Sequence, residues 1–371
     1  MSEPTRAAPA ALVDHVIERT VALAAIPAPS LDEGERAALV SAWWSSDGLD
    51  RVHRDQVGNV WGCVIGGSGP AVVVCAHLDT VFGPQVDHTV RRDGDLLVGP
   101  GVGDDAVAVA ALSTLADMPG ACTMPVWVLA TVGEEGLGNL RGIRAALAEP
   151  PTDIAALIAV EGNYLGRVCT VGVGSCRWAV TLSGPGGHAW ERADDPSAVH
   201  VAARLIAQLD QLDRPSGSRT SVNVGRMGGG EAINARAREA HFELDVRADD
   251  AAALDELAER VVTLIRGAGD GQLSVSLREV GRRPAGAIEQ GHPLTRAASD
   301  ALCAIGRPPT MVSGSTDANA AYAAGVPAVA VGVTVGAGEH TLEEWIDLRP
   351  LPMGMWALTE TVRRYAETVA S

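Results

Sequence analysis

The chain contains no lysine: all 29 basic residues among its 371 are arginines. That absence removes Schiff-base chemistry and the lysine of a phosphate-binding P-loop. The six cysteines (Cys63, Cys75, Cys122, Cys169, Cys176, Cys303) are scattered and form no C-x-x-C pair. They exclude a disulfide framework or a zinc knuckle and read as buried thiols of a reducing compartment, so a cytoplasmic protein is expected. No apolar run approaches the roughly 18 residues of a membrane span. Met1 to His15 lacks a basic region followed by a leucine-rich core, so no secretory signal is read there. Positive charge is scarce, with 46 acidic residues giving a net charge of -17. Such a surface repels phosphate backbones and disfavours nucleic acid as a partner.

With 47% hydrophobic and 20% charged residues the composition is that of an ordinary globular protein. The length suggests two or three domains. The 42 glycines and 21 prolines fit a loop-rich α/β enzyme better than a helical bundle. Four short apolar runs stand out: Ala71 to Ala76, Pro125 to Val132, Ile154 to Val160 and Pro327 to Val333. Their length and Val/Ile content predict central strands of a mostly parallel sheet. Helical stretches are expected at Asp105 to Ala116, Leu140 to Ala148, Pro293 to Ile305 and Thr316 to Ala324, giving an α/β layer with helices on both faces.

Between about Cys176 and Arg283 the texture changes. Arg177 to Leu182 alternates, Pro196 to Leu212 has helical spacing, and Arg219 to Met227 reads as a strand. Ala240, Phe242, Leu244 and Val246 alternate with polar residues. A helix carrying Leu254, Leu257, Val261 and Ile265 and a last strand with Leu273, Val275 and Leu277 follow. Strand–helix–strand–strand–helix–strand is the order of a ferredoxin-like α+β fold. The expected organisation is residues 1–175 and 284–371 as one α/β domain, interrupted by an inserted domain at 176–283.

Chemistry-bearing residues follow each buried run. His77-Leu78-Asp79-Thr80 follows the first, Gly133-Glu134-Glu135-Gly136 the second, Glu161-Gly162 the third, and the fourth leads through Glu339 to His340-Thr341. Gly103-Asp104-Asp105 opens a helix. Ligands of open parallel sheets bind beyond the carboxyl ends of the strands, so these loops should converge. Independent surface residues have no reason to fall after one buried strand after another. So many carboxylates without a compensating lysine or arginine call for bound cations. A His/Asp/Glu set without cysteine suits zinc, with manganese or cobalt as alternatives, and allows two ions if one carboxylate bridges. Of Glu134 and Glu135, one can ligate while the other moves a proton. The glycine-rich Gly99-Pro100-Gly101-Val102-Gly103 resembles a nucleotide loop only loosely, since Pro100 and the missing preceding strand argue against it.

Together with Gly186-Gly187-His188, these segments resemble, in order and from about residue 15 onward, the co-catalytic zinc peptidase family. Its members include glutamate carboxypeptidase, tripeptide aminopeptidase, acetylornithine deacetylase, succinyl-diaminopimelate desuccinylase and aminoacylase. The resemblance implies that His77, Asp104 and Glu161 bind one metal and that Asp104, Glu135 and His340 bind the other, with Asp104 bridging. It implies Glu134 as general acid/base and Asp79 as the residue orienting His77, with the Asp104–Asp105 peptide often cis. The same resemblance implies that the inserted domain is a lid that dimerises, making a homodimer in which His188 reaches the partner's site. It further implies that Asn234 assists there, that Arg247 holds a substrate carboxylate and that Gly314-Ser315-Thr316-Asp317 is a substrate loop.

Three positions depart from the family pattern: Ala106 replaces a common lysine, Trp190 lies near the lid histidine, and Ser313 replaces an arginine. Trp190 could stack on an apolar substrate group. The activity implied is hydrolysis of an amide bond in a small substrate with a free carboxylate, as an exopeptidase or dipeptidase. An N-acyl-amino-acid deacylase, hydrolysis of a non-peptide C–N bond, and a silent metal-dependent binding protein are the alternatives.

Overall fold

The computed structural model describes residues 6–117, 122, 124–269 and 271–370. The apolar runs are strands because no face of them needs water. β1 (Asp50–Arg54), β2 (Val60–Ile65), β3 (Ala71–His77), β4 (Val126–Thr131), β5 (Ile154–Val160) and β6 (Arg167–Gly172) are joined later in the chain by β11 (Thr310–Gly314) and β12 (Ala328–Val331). Their order across the sheet is β1-β2-β4-β3-β5-β12-β6, with β11 pairing β6. The central β4-β3-β5-β12 block is parallel, and β1 and β2 are antiparallel at the edge.

Successive side chains of one strand enter two cores. Val72, Val74 and Ala76 of β3 pack with helices Ala10–Ala24, Gly34–Ser46, Val107–Leu112, Pro293–Ala304 and Leu351–Ala370. Ala71, Val73 and Cys75 pack on the opposite face with helices Arg141–Ala148 and Ala318–Ala323. This two-sided burial explains why the runs are continuous rather than alternating. A small antiparallel sheet of Val335–Ala337, Trp345–Asp347, Leu96–Val98 and Arg91–Asp93 runs the chain that follows β12 beside the chain that precedes Gly99.

Residues Val173–Gly286 form a second compact unit interrupting the first. Its strands are β7 (Gly174–Ser183), β8 (Thr220–Gly229), β9 (Glu239–Ala248) and β10 (Ser274–Arg283), all antiparallel in the order β8-β9-β7-β10. Helices Ala198–Asp210 and Ala251–Arg266 bury Leu205, Leu209, Leu257 and Val261 with Phe242 and Leu244 of β9. Asp250 starts the second helix by accepting the Ala253 amide at 2.9 Å. Strand order and connectivity are ferredoxin-like.

The helix expected from Asp105 begins later, at Val107, and continues as a 3-10 turn over Ser113–Asp117. Asp104 and Asp105 have non-helical dihedrals, and the peptide between them is cis. The Asp105 side chain is engaged with two backbone amides, as described below.

Gly354 lies inside the helix Leu351–Ala370, where a Cβ would stand 1.8 Å from the Val333 carbonyl oxygen. A glycine in a helix interior ordinarily costs about 1 kcal/mol relative to alanine. Here the sign reverses: Gly354→Ala should lose about 1–3 kcal/mol through overpacking. Chemical denaturation of the two proteins checks it, and a stabilised variant would refute the close approach.

Candidate metal centre

The parallel strands end side by side, with His77 as the last residue of β3 opposite Thr131 of β4. Glu161 follows β5, and its amide bonds the Val331 carbonyl of β12 at 2.8 Å. His77 Nε2 stands 2.8 Å from Asp104 Oδ1, while His340 Nε2 stands 3.2 Å from Asp104 Oδ2 and 2.8 Å from Glu135 Oε1. Asp104 therefore turns a different oxygen to each imidazole. His77, Asp104 and Glu161 can bring ligand atoms within 4.8 Å of one another, and so can Asp104, Glu135 and His340. A third grouping, His77, Glu134 and Glu135, shows that Glu134 lies in the same cluster. Its neighbour Glu135 is the one that faces His340.

Three buried carboxylates hold the loops that carry these groups. Asp79 accepts the amides of Glu134 and Glu135, each at 2.9 Å, and the Ser30 hydroxyl at 2.6 Å. Asp105 accepts the His77 amide at 3.1 Å and the Gly162 amide at 2.9 Å, tying β3 to the turn after β5. Glu344 accepts the amides of Gly101, Gly103 and Asp104 at 2.8, 2.7 and 2.8 Å. His77 Nδ1 lies 2.9 Å from the backbone carbonyl of Asp79 and 3.6 Å from its carboxylate. A carbonyl only accepts, so Nδ1 carries the proton and the Nε2 lone pair is left for a ligand's work. The peptide oxygen of Asp79 orients the ring, while its carboxylate organises the Glu134-Glu135 turn.

The electrostatics show a deficit of positive charge. Burial pushes the Glu161 and Asp105 carboxyls well above the usual range, helped by their acidic neighbours. Burial opposes the charge of Asp104 as well, but His340 and His77 outweigh it and hold that carboxyl well below. Burial likewise disfavours a charged His77, yet Asp104 and Asp79 raise its imidazole well above normal. Glu344 is pushed up to about 8 by burial and the Asp104 charge, against three amides that favour its ionised form. Beneath the cluster, the fully buried Arg36 donates to the Ile26 and Leu78 carbonyls, both at 2.9 Å. Burial lowers it to about 10, and it remains a cation facing Asp79 and Glu344. The donor set thus fits divalent cations: the buried imidazole of His77 and the exposed one of His340 converge with carboxylates whose charge burial disfavours.

The inserted unit carries His188, Trp190, Asn234 and Arg247. His188 pairs with Ala235 in a two-stranded ribbon, and the Ala189 amide bonds the Asn234 carbonyl at 2.9 Å, so His188, Trp190 and Asn234 share one tip. Trp190 is 86% exposed. Arg247 near the end of β9 is engaged with Asp245, Nε to Oδ2 at 2.6 Å. Gly314 ends β11 in the first unit and Ser315 follows it. There the Thr316 hydroxyl accepts the Ala318 amide at 3.2 Å in a local turn that precedes the helix Ala318–Ala323. Ser30, Arg36 and Glu344 escaped the sequence reading. Glu344 alone left a trace, lying four residues beyond His340.

Hydrogen bonds to Asp104 and Glu135 push the His340 imidazole from 6.5 to about 10. A raised basic group stabilises the fold while protonated, so in metal-free protein this contribution is complete below about pH 6.5 and lost as the pH rises through about 10. The unfolding midpoint of metal-free protein should exceed that of His340→Leu in the acid range, and the two should converge above that window. A gap that widens with pH would contradict the pairing.

Residues 73–364 match the model of peptidase family M20/M25/M40. A probable carboxypeptidase of Neosartorya fischeri is 30% identical over 246 residues, covering 58% of this chain and 54% of that protein. The chain thus spans about half the length of the curated relatives it matches. Two crystal structures share the fold. A tripeptidase from Staphylococcus aureus superposes with a TM-score of 0.77 at 20% identity, covering 96% of this chain and 99% of that one. The aminopeptidase PepT from Bacillus cereus gives 0.76 at 20% identity, covering 95% and 99%.

Proposed function

The chain belongs to peptidase family M20/M25/M40, and from that membership we propose that it is a metal-dependent hydrolase of an amide bond in a small substrate with a free carboxylate. The observation that carries the reading is Asp104, whose two oxygens face His77 and His340 from a cluster short of positive charge. His77, Asp104 and Glu161 would hold one divalent cation and Asp104, Glu135 and His340 the other, most suitably zinc, with cobalt and manganese as alternatives. Such ions supply Lewis acidity toward the scissile carbonyl and an acidified water.

The rest falls to side chains. Glu135 faces His340, which leaves Glu134 to take the proton of the attacking water and pass it to the leaving nitrogen. Asp79 holds the amides of both glutamates and so fixes their divergence. His188 and Asn234, grouped on one ribbon, are assigned to the oxyanion and the substrate, with the inserted unit acting as lid and homodimer contact. For Arg247 to grip a substrate carboxylate it must exchange Asp245 for it. Four exposed apolar side chains, Leu31, Val81, Leu137 and Leu342, lie one or two residues from Ser30, Asp79, Glu135 and His340. They favour a substrate with an apolar group beside the amide. The six unpaired cysteines support a cytoplasmic setting.

Exopeptidase or dipeptidase action is the leading form, with N-acyl-amino-acid deacylation and hydrolysis of a non-peptide C–N bond as alternatives, the last motivated by exposed Trp190. A panel of di- and tripeptides, N-acyl-amino acids and aromatic amides separates them. Glu134→Ala should keep both metals while turnover falls about 10²–10⁴-fold, the usual contribution of a general acid/base. Metal analysis beside steady-state kinetics checks this, and undiminished turnover would reject the mechanism.

A further inference from the structure

The glycine-rich stretch Gly99 to Gly103, with its weak likeness to a nucleotide loop, is occupied from within the chain. Its amides point at the carboxylate of Glu344: Gly101 donates to Oε2 and Gly103 and Asp104 both donate to Oε1. The Gly99 amide adds a bond to the Glu344 carbonyl at 2.8 Å. Successive amides around a concavity form an anion nest. The glycines allow the approach, since a Cβ on Gly103 would stand 2.9 Å from Glu344 Oε1, and Gly101 has a φ of +71°. Glu344 is fully buried and the nest is filled.

We propose that Glu344 is a positioning residue for the second metal site, seated in the glycine nest so that Asp104 and His340 keep one fixed separation. The inference rests on the reading of Asp104, Glu135 and His340 as ligands. Each of the two loops that Glu344 joins delivers one of them: Asp104 is itself an amide donor to the carboxylate, and His340 lies four residues before it. His340 has a φ of +63°, a left-handed conformation that residues with a Cβ adopt at a cost. A loop in that state needs an anchor, and the Glu344 amide also closes its turn on the Thr341 carbonyl at 3.3 Å. Among the described residues, Glu344 is the side chain seen to bridge these two loops by hydrogen bonds to the Gly101–Asp104 amides. Its carboxylate accepts backbone amides, so its influence on the ions passes through the backbone.

The test is competitive zinc titration of full-length protein against a chromophoric chelator, with the visible spectrum of the cobalt-loaded protein as a second readout. Glu344→Gln retains an oxygen for Gly103 and Asp104 but turns an amino group toward the Gly101 amide. His340→Ala identifies which dissociation constant belongs to the second site. Glu344→Gln is expected to weaken that constant about 10–100-fold, the range for partners that orient ligands. The constant of the other site should change less, and the cobalt spectrum should shift. Gly103→Ala, whose Cβ would stand 2.9 Å from both Glu344 Oε1 and Ile346 Cγ2, should reproduce the pattern, and Ile346→Val beside it separates the carboxylate contact from simple overpacking; the pair serves in place of a Glu344→Gln that fails to fold. Unchanged constants, or equal weakening of both sites that tracks a loss of metal-free stability, would overturn the proposal. Wild-type protein that binds no metal would instead bring down the ligand assignment itself.

Discussion

The centre depends on buried carboxylates that accept backbone amides. A charge removed from water is costly unless hydrogen bonds replace its hydration, and amides fixed in loops do so without losing side-chain freedom. Asp79, Asp105 and Glu344 are all buried, and each uses its oxygens to join segments distant in sequence. Asp79 fixes the turn after β4, Asp105 couples the end of β3 to the turn after β5, and Glu344 couples the Gly99–Asp104 loop to the loop of His340. The groups facing the cluster are thereby set by acidic residues beneath it. Arg36, buried under Asp79 and Glu344, keeps this foundation from being wholly negative.

This division of labour explains how one acidic set serves two purposes. Neighbouring residues have opposite assignments: Asp104 faces the imidazoles and Asp105 faces amides. Glu134 and Glu135 share Asp79 as the acceptor of their amides, yet Glu135 is the one beside His340. In each pair, backbone direction at a strand end or at a non-helical dipeptide decides which way a carboxylate looks. Composition alone treats such neighbours as equivalent.

Much of the architecture was readable because two-sided burial writes itself as continuous apolar sequence. β4, β5 and β12 fall within the predicted runs, β3 exceeds its run by His77 alone, and the inserted unit announced itself by a change of period from continuous to alternating. The helices Ala10–Ala24, Gly34–Ser46 and Leu351–Ala370 were not read, nor was the edge strand Asp50–Arg54, whose side chains are mostly exposed. That the loops bearing His77, Asp104-Asp105, Glu134-Glu135, Glu161 and His340 should converge was foreseeable because strand ends gather ligands, whereas the choice of Asp104 and Glu135 within their pairs came from the family resemblance. Asp105 and Glu344 as amide acceptors were not, since their partners are peptide groups, which every residue possesses and which therefore leave no spacing to detect. Arg36 was hidden for the same reason, its observed acceptors being carbonyls.

The inserted unit splits the chain between Glu161 and His340. A ribosome therefore completes four of the five gathered imidazole and carboxylate groups well before it makes the fifth, and the whole of residues Val173–Gly286 emerges in the interval. Until His340 and Glu344 are translated, the strip that carries Asp104 lacks the second of its facing imidazoles and its clasp. The grouping of Asp104 with Glu135 and His340 is thus completed only by the last part of the chain, after the strand Ala328–Val331 that pairs beside Ile154–Val160 has been made.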